Sequence, residues 1–180
     1  FNIRVLYLNE PFNGYRDKYF MTSINQLDQF LSENPDIEMF EVLLHDLNGA
    51  QRGKWLPKDK IHKLFKGGFK MPLSSCALDY WGRDQEELIA ATGDSDGVCV
   101  PHPESLARVP WADKHTGQII VSMTDDVTGQ PYGGDCRSVL QNIINRFSTL
   151  GLTPVVASEM EFHLLTLDRN FVLTDLQNQL

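Results

Sequence analysis

The sequence predicts an α+β fold, with few amphipathic helices and strands in short, turn-bounded runs. Apolar residues recur at helical spacing most clearly around 22–33 and 138–150. Between them lie runs rich in apolar and β-branched residues at 37–45, 50–56, 97–100, 106–109 and 118–123, set among Gly, Pro, Asn and Asp. A length of 180 residues with 42% apolar and 22% charged content suits a globular protein that buries a real core.

Residues 1–21 carry aromatics and charges without clear periodicity and read as a leader or arm. From Thr22, a helix places Ile24, Leu27, Phe30 and Leu31 on one face. Thr22 or Ser23 can cap its start, and Asn34-Pro35 stops it. A strand over 37–45 leads to Asn48-Gly49, a signal for a two-residue type I′ hairpin turn, and a second strand returns over 50–56 to Pro57. A short helix over 58–66 closes at Gly67-Gly68.

Residues 71–79 form an apolar stretch ending in a loop, and the acidic segment 82–97 carries a helix near 86–91. Thr128-Gly129-Gln130-Pro131 is a turn. The helix over 138–150 aligns Val139, Ile143, Ile144, Phe147 and Leu150, and Gly151 caps it. A strand is expected over 154–167. The cluster of Asp, Gly and Pro at 125–135 marks a domain boundary, which gives units of 22–128 and 129–180 after the leader.

The net charge of −8 argues against non-specific binding to nucleic acid or to an anionic membrane. No apolar run approaches the length of about 18 residues that a membrane span needs. The first twenty residues lack the charged and apolar regions of a secretory signal, and the chain does not begin with Met, as expected of a cut or processed end. Cys76, Cys99 and Cys136 form no CxxC pair and are expected as reduced thiols of a cytoplasmic protein.

The segment most informative about chemistry is Val155-Val156-Ala157-Ser158-Glu159-Met160-Glu161-Phe162-His163-Leu164. On a strand, Val156, Met160, Phe162 and Leu164 share one face, and Glu159, Glu161 and His163 share the other. Two carboxylates roughly 7 Å apart along a strand can each offer oxygen to a hard cation such as Mg²⁺ or Mn²⁺. The same alternation also describes a solvated strand face.

The hairpin presents Asp46, Arg52 and Lys54 near its tip. The two cations can touch a phosphate or carboxylate, or the tip is a solvated turn. Arg137, just before the last helix, is expected to pair with an acid on a neighbouring element. Asp94, Asp96, Asp125 and Asp126 lack the spacing and closing Glu of an EF-hand. The chain has no GxxxxGK[ST], GxGxxG or GxSxG motif, so any use of ATP does not run through a P-loop.

Taken in order, four segments resemble the glutamine synthetase family. Asp46-Leu47-Asn48-Gly49 with Arg52-Gly53-Lys54 is similar to its first hairpin. Asp135-Cys136-Arg137 resembles its D-P-R element, with Cys in the Pro place. Gly151-Leu152 and then Glu159-Met160-Glu161-Phe162 resemble its E-x-E-F strand. The resemblance covers about 22–168. It implies a β-grasp-like amino-terminal domain followed by the start of a catalytic α/β domain.

It also implies that Glu159 and Glu161 bind two different divalent metals, with ATP as cosubstrate. The implied reaction phosphorylates the glutamate γ-carboxyl and then lets an amine nitrogen attack. Metals suit it because they spread the charge of a transferring phosphoryl group. Family members place their active sites between neighbouring subunits, which implies a homo-oligomer in the full-length protein. Further metal ligands, phosphate-binding arginines and the nucleotide site lie beyond the matched part, so these 180 residues alone are expected to be inactive.

One departure bears on the acceptor. The family's F-D-G-S-S stretch carries an Asp that helps bind ammonium, but here the stretch is Met71-Pro72-Leu73-Ser74-Ser75. Pro72 cannot bind a cation through its side chain. With Arg52-Gly53-Lys54 before it and Asp79 after it, the stretch is more similar to the γ-glutamylpolyamine synthetase branch, which attaches glutamate to putrescine or similar amines. The alternatives are a glutamine synthetase using ammonia, a non-catalytic structural or regulatory member of the same fold family, or an unrelated small α+β binding domain.

Overall fold

The computed structural model describes residues 12–112, 115–159, 161, 165–167 and 173–175. The chain divides into two compact units, Phe1–Ile143 and Ile144–Leu180. No helix among the described residues is long and apolar enough to cross a membrane.

The first unit is α+β. It begins with α1 (Phe12–Glu33), followed by the hairpin β1 (Met39–His45) and β2 (Gln51–Pro57). Next come α2 (Ile61–Phe65), β3 (Lys70–Pro72), a 3₁₀ turn over Leu73–Cys76 and α3 (Glu86–Thr92). Strands β4 (Asp96–Pro101), β5 (Ala107–Arg108) and β6 (Thr116–Asp125) precede α4 (Cys136–Thr149). The main sheet runs β2-β1-β6-β4-β3, with β5 also paired to β6. β1 and β6 are parallel, with Met39 opposite Thr116 and Leu43 opposite Ile120; the other pairs are antiparallel.

Strand alternation decides which residues fill the core. Phe40, Val42 and Leu44 of β1 point inward, as do Ile119, Val121 and Met123 of β6. They pack in one cluster with Leu27 of α1 and with Ile61, Leu64 and Phe65 of α2. Full burial of such side chains contributes about 1.5–3 kcal/mol each before entropy is charged. Burial also pushes the Cys76 and Cys99 thiols up to about 12, so neither is a nucleophile at neutral pH.

Three sequence expectations change. The first helix starts at Phe12 rather than near Thr22. No Pro interrupts that stretch, and extending a formed helix costs far less than nucleating one. It ends as expected, with the Asn34 amide and side chain both donating to the Phe30 carbonyl.

The hairpin turn is not type I′, because Gly49 has positive φ (75°) and Asn48 does not. Gly49 N–H donates to the Asp46 carbonyl, and Asp46 N–H donates to the Ala50 carbonyl. This is a three-residue loop with a left-handed glycine. The Asp46 carboxylate selects it by accepting the amides of Asn48 and Ala50.

The third change falls in the second unit. Residues 152–159 have no regular structure, where a strand was expected over 154–167. Among the described residues of that span, Leu165–Leu167 is strand (β7), paired with β8 (Leu173–Asp175). Alternation shows what a strand can bury, but a strand also needs a ladder partner for its backbone. Among the described residues none pairs with 152–159, and Val155 and Val156 remain 94% and 83% exposed.

Helix α4 crosses the division between the units. Asp135, fully buried, caps its start: one carboxylate oxygen accepts the Arg137 amide, and the other accepts the Ser138 hydroxyl and the Met123 amide of β6. At its end the Gly151 amide donates to Ser148 and the Leu152 amide to Phe147. Val139, Leu140, Ile143, Phe147 and Leu150 of the apolar face are exposed.

Candidate functional site

The hairpin tip and the loop after the 3₁₀ turn form one polar cluster in the first unit. Asp46 is 1% exposed and receives Arg52 Nε at 2.8 Å, besides the two backbone amides. Burial opposes its charge. The Arg52 hydrogen bond and the amides of Ala50 and Asn48 together outweigh burial and hold its carboxyl below the ordinary value.

The tip is fastened to the neighbouring loop at three points. Leu47 N–H donates to the Cys76 carbonyl at 3.0 Å. Asn48 Nδ2 donates to the Leu78 carbonyl at 2.8 Å, and Arg52 Nη2 to the Asp79 carbonyl at 3.2 Å. The loop then closes on itself. Asp79 N–H donates to the Arg83 carbonyl, Gly82 N–H to the Asp79 carbonyl, and Arg83 N–H to the Asp79 carboxylate. Gly82 sits at φ +81°, a conformation that calls for glycine, and a Cβ there would press on Arg52 Nη1 at 3.1 Å.

At the loop's tip Tyr80 and Trp81 are 80% and 75% exposed. Their rings meet edge to face with centroids 5.7 Å apart, and the Arg83 guanidinium lies 5.7 Å from the Trp81 centroid. Interfaces are enriched in large aromatics, which makes this exposed pair a candidate contact surface. The sequence reading passed over this pair because it lies in an acidic loop with no periodicity. The dipeptide Tyr80-Trp81 beside Gly82 was the available signal.

Upstream, the Met71-Pro72-Leu73-Ser74-Ser75 stretch is held from the β4 side. Leu73 N–H donates to the Ser95 carbonyl, and Ser74 Oγ donates to Asp94 at 2.8 Å. Pro72 closes β3 opposite Asp96.

The structure places the sequence-derived candidates as follows. Asp46 and Arg52 come together, engaged with each other and with the loop. Lys54 is exposed on β2, opposite Val42 of β1. Glu159 and Glu161 are both exposed, and Glu159 lies in the irregular stretch rather than on a strand. His163 lies outside the described residues. Among the described residues no group of three or more His, Cys, Asp or Glu is placed to hold a metal ion. Two carboxylates two residues apart in sequence have the right donor chemistry for Mg²⁺ or Mn²⁺ but supply only part of a shell of about six oxygens.

No protein-family model matches the chain. Individual proteins do. Gamma-glutamylputrescine synthetase PuuA of Escherichia coli strain K12 is 36% identical over 147 residues, covering 81% of this chain and 31% of that protein. Glutamine synthetase of Pyrococcus abyssi is 25% identical over 124 residues, covering 69% of this chain and 25% of that protein. Among solved structures, ligand-free GmaS matches with a TM-score of 0.54 and the GmaS–ADP complex with 0.52. Each is 25% identical and covers 69% of this chain and 26% of GmaS. The chain thus spans less than a third of the length of these relatives. Sequence and fold together place it in the glutamine synthetase family, matching the amino-terminal portion of its relatives.

Proposed function

We propose that the chain is the amino-terminal part of an ATP-dependent ligase that joins the glutamate γ-carboxyl to an amine through a γ-glutamyl phosphate, with a polyamine such as putrescine as acceptor. The observation that carries this reading is the 36% identity over 147 residues to a gamma-glutamylputrescine synthetase. Pro72 supports it independently, since a ring without charge stands where an ammonium-binding carboxylate is expected. In this reading residues 22–128 are a β-grasp-like domain, 129–180 open the catalytic domain, and the full-length protein is a cytoplasmic homo-oligomer.

Glu159 and Glu161 would hold Mg²⁺ or Mn²⁺, whose bound charge offsets that of the phosphate oxygens. Water, phosphate oxygens or residues outside these 180 complete the shell. Asp46 and Arg52 act in this reading by holding each other and the loop, with Arg52 Nε on Asp46 and Nη2 on the Asp79 carbonyl. An ammonia-using reading is favoured by one observation, the matches to glutamine synthetases of Pyrococcus abyssi and Mycolicibacterium smegmatis.

The test is ADP release by the full-length protein with glutamate and Mg²⁺, comparing ammonia, putrescine and longer polyamines. The 180-residue chain alone serves as the expected inactive control. Turnover with putrescine and little with ammonia is the expected result. Turnover with ammonia alone would sink the polyamine reading.

A further inference from the structure

We infer that Asp46, Asn48 and Arg52 are positioning residues, which hold the 79–83 loop so that Tyr80 and Trp81 meet the hydrocarbon chain of the acceptor amine. The acceptor part rests on the ligase reading above. The positioning part stands on geometry alone.

A loop of five residues with two large aromatics at its tip would ordinarily collapse its rings onto the nearest apolar surface, because exposed aromatic area is costly in water. This loop is held out instead. Asn48 fixes the Leu78 carbonyl and Arg52 fixes the Asp79 carbonyl, from a hairpin about thirty residues earlier in the chain. Arg52 is itself oriented by Asp46, whose remaining oxygen is occupied by two backbone amides. The chain of contacts runs from the β1–β2 hairpin through a buried carboxylate to the base of the loop. Each link is a hydrogen bond with a defined direction, and together they fix an orientation before any ligand arrives. A surface ordered in advance binds without a further ordering cost.

The chemistry at the tip selects the occupant. Two edge-to-face rings give an apolar wall with electron-rich faces, suited to methylene groups that carry an ammonium. Arg83 already places a cation over Trp81, which shows that this ring accepts positive charge. From 79 to 87 the loop and its continuation carry Asp79, Asp84, Glu86 and Glu87 against Arg83, four carboxylates to one guanidinium. That balance favours a polycationic chain over an anionic partner.

The experiment uses the full-length protein and two readouts. Tryptic cleavage after Arg83 reports whether the loop is held. Asn48→Ala removes one exposed anchor with little threat to folding, and Arg52→Lys keeps the charge but loses the two-pronged contact to Asp46 and Asp79. Both are expected to speed that cleavage about tenfold, the effect of losing one anchoring hydrogen bond. Steady-state kinetics then compare putrescine with methylamine. Trp81→Ala and Tyr80→Ala are expected to raise KM for putrescine about tenfold, with smaller effects on methylamine and on glutamate, and with kcat held within about twofold. Asn48→Ala and Arg52→Lys should shift putrescine KM in the same direction.

Unchanged cleavage in both anchor variants overturns the positioning role. Unchanged putrescine KM in both aromatic variants overturns the acceptor role. So does a change of oligomer size with kinetics intact, which would assign the aromatic tip to another copy of the chain. If the wild type turns over no amine, the ligase reading fails and the acceptor role with it, while the cleavage arm still decides positioning.

Discussion

A carboxylate can be buried in its charged form only when donors replace the water it loses. Asp46 has three: Arg52 Nε at 2.8 Å and the amides of Asn48 and Ala50 at 2.9 Å each. Its carboxyl is therefore held below its unfolded value, and the sign of the pH effect follows. The stabilising contribution is fully present above the unfolded carboxylate value, about 4, and is lost as pH falls through the folded one. Asp46→Asn keeps the shape but leaves Arg52 without a charged partner and makes the side chain neutral at every pH. We expect it to cost about 2 kcal/mol at pH 7. The gap to wild type should narrow as pH is lowered below about 4. Urea unfolding at pH 7 and at pH 3 checks this, and a gap that stays constant would show that Asp46 is not ionised in the fold.

Among the elements, α4 shows how one residue can join a helix to a sheet. Asp135 accepts two donors from the first turn of α4 and the Met123 amide from β6. Asp135→Ala leaves a buried strand amide without its acceptor and the helix without its cap, and should cost about 2 kcal/mol. Hydrogen exchange should locate the loss at the Met123 amide and the first turn of α4, and uniform loosening of the chain would argue against this account. The bounds of α4 were legible in the sequence because periodicity and a closing Gly151 are local signals. The β1–β2 hairpin was legible for the same reason, although its turn type was set by the Asp46 side chain and not by Asn48-Gly49 alone. Residues 154–159 of the strand expected over 154–167 have no regular structure because the ladder partner of such a strand is not encoded in its own alternation. The fastening of the hairpin to the 79–83 loop could not be read either, since its donors and acceptors lie about thirty residues apart and depend on the fold.

At the scale of the whole molecule, the two units differ in what their described residues bury. The first has a closed core of strand and helix side chains. In the second, Val155, Val156 and Leu152 are exposed in the stretch that holds Glu159, and so are Phe147 of α4 and Leu150 just after it. Apolar side chains alternating with carboxylates are the pattern of a strand with one face in a core and the other on a polar cleft. In the proposed full-length ligase the segment gains a partner there, and Glu159 and Glu161 then offer oxygens toward a divalent ion. Glu159→Gln and Glu161→Gln each keep size and hydrogen bonding while removing one charge. Each variant of the full-length protein should bind Mn²⁺ about tenfold more weakly by calorimetry, because a hard cation's affinity follows the charge count of its oxygen ligands. The Mg²⁺ concentration needed for half-maximal ADP release should rise in step. One Mn²⁺ site that weakens in each variant and weakens further in the double variant would mean one shared ion. Loss at one of two sites in each variant, with the other site intact, would mean two separate ions. Unchanged Mn²⁺ binding in both would remove these carboxylates from the metal site and leave them as a solvated edge.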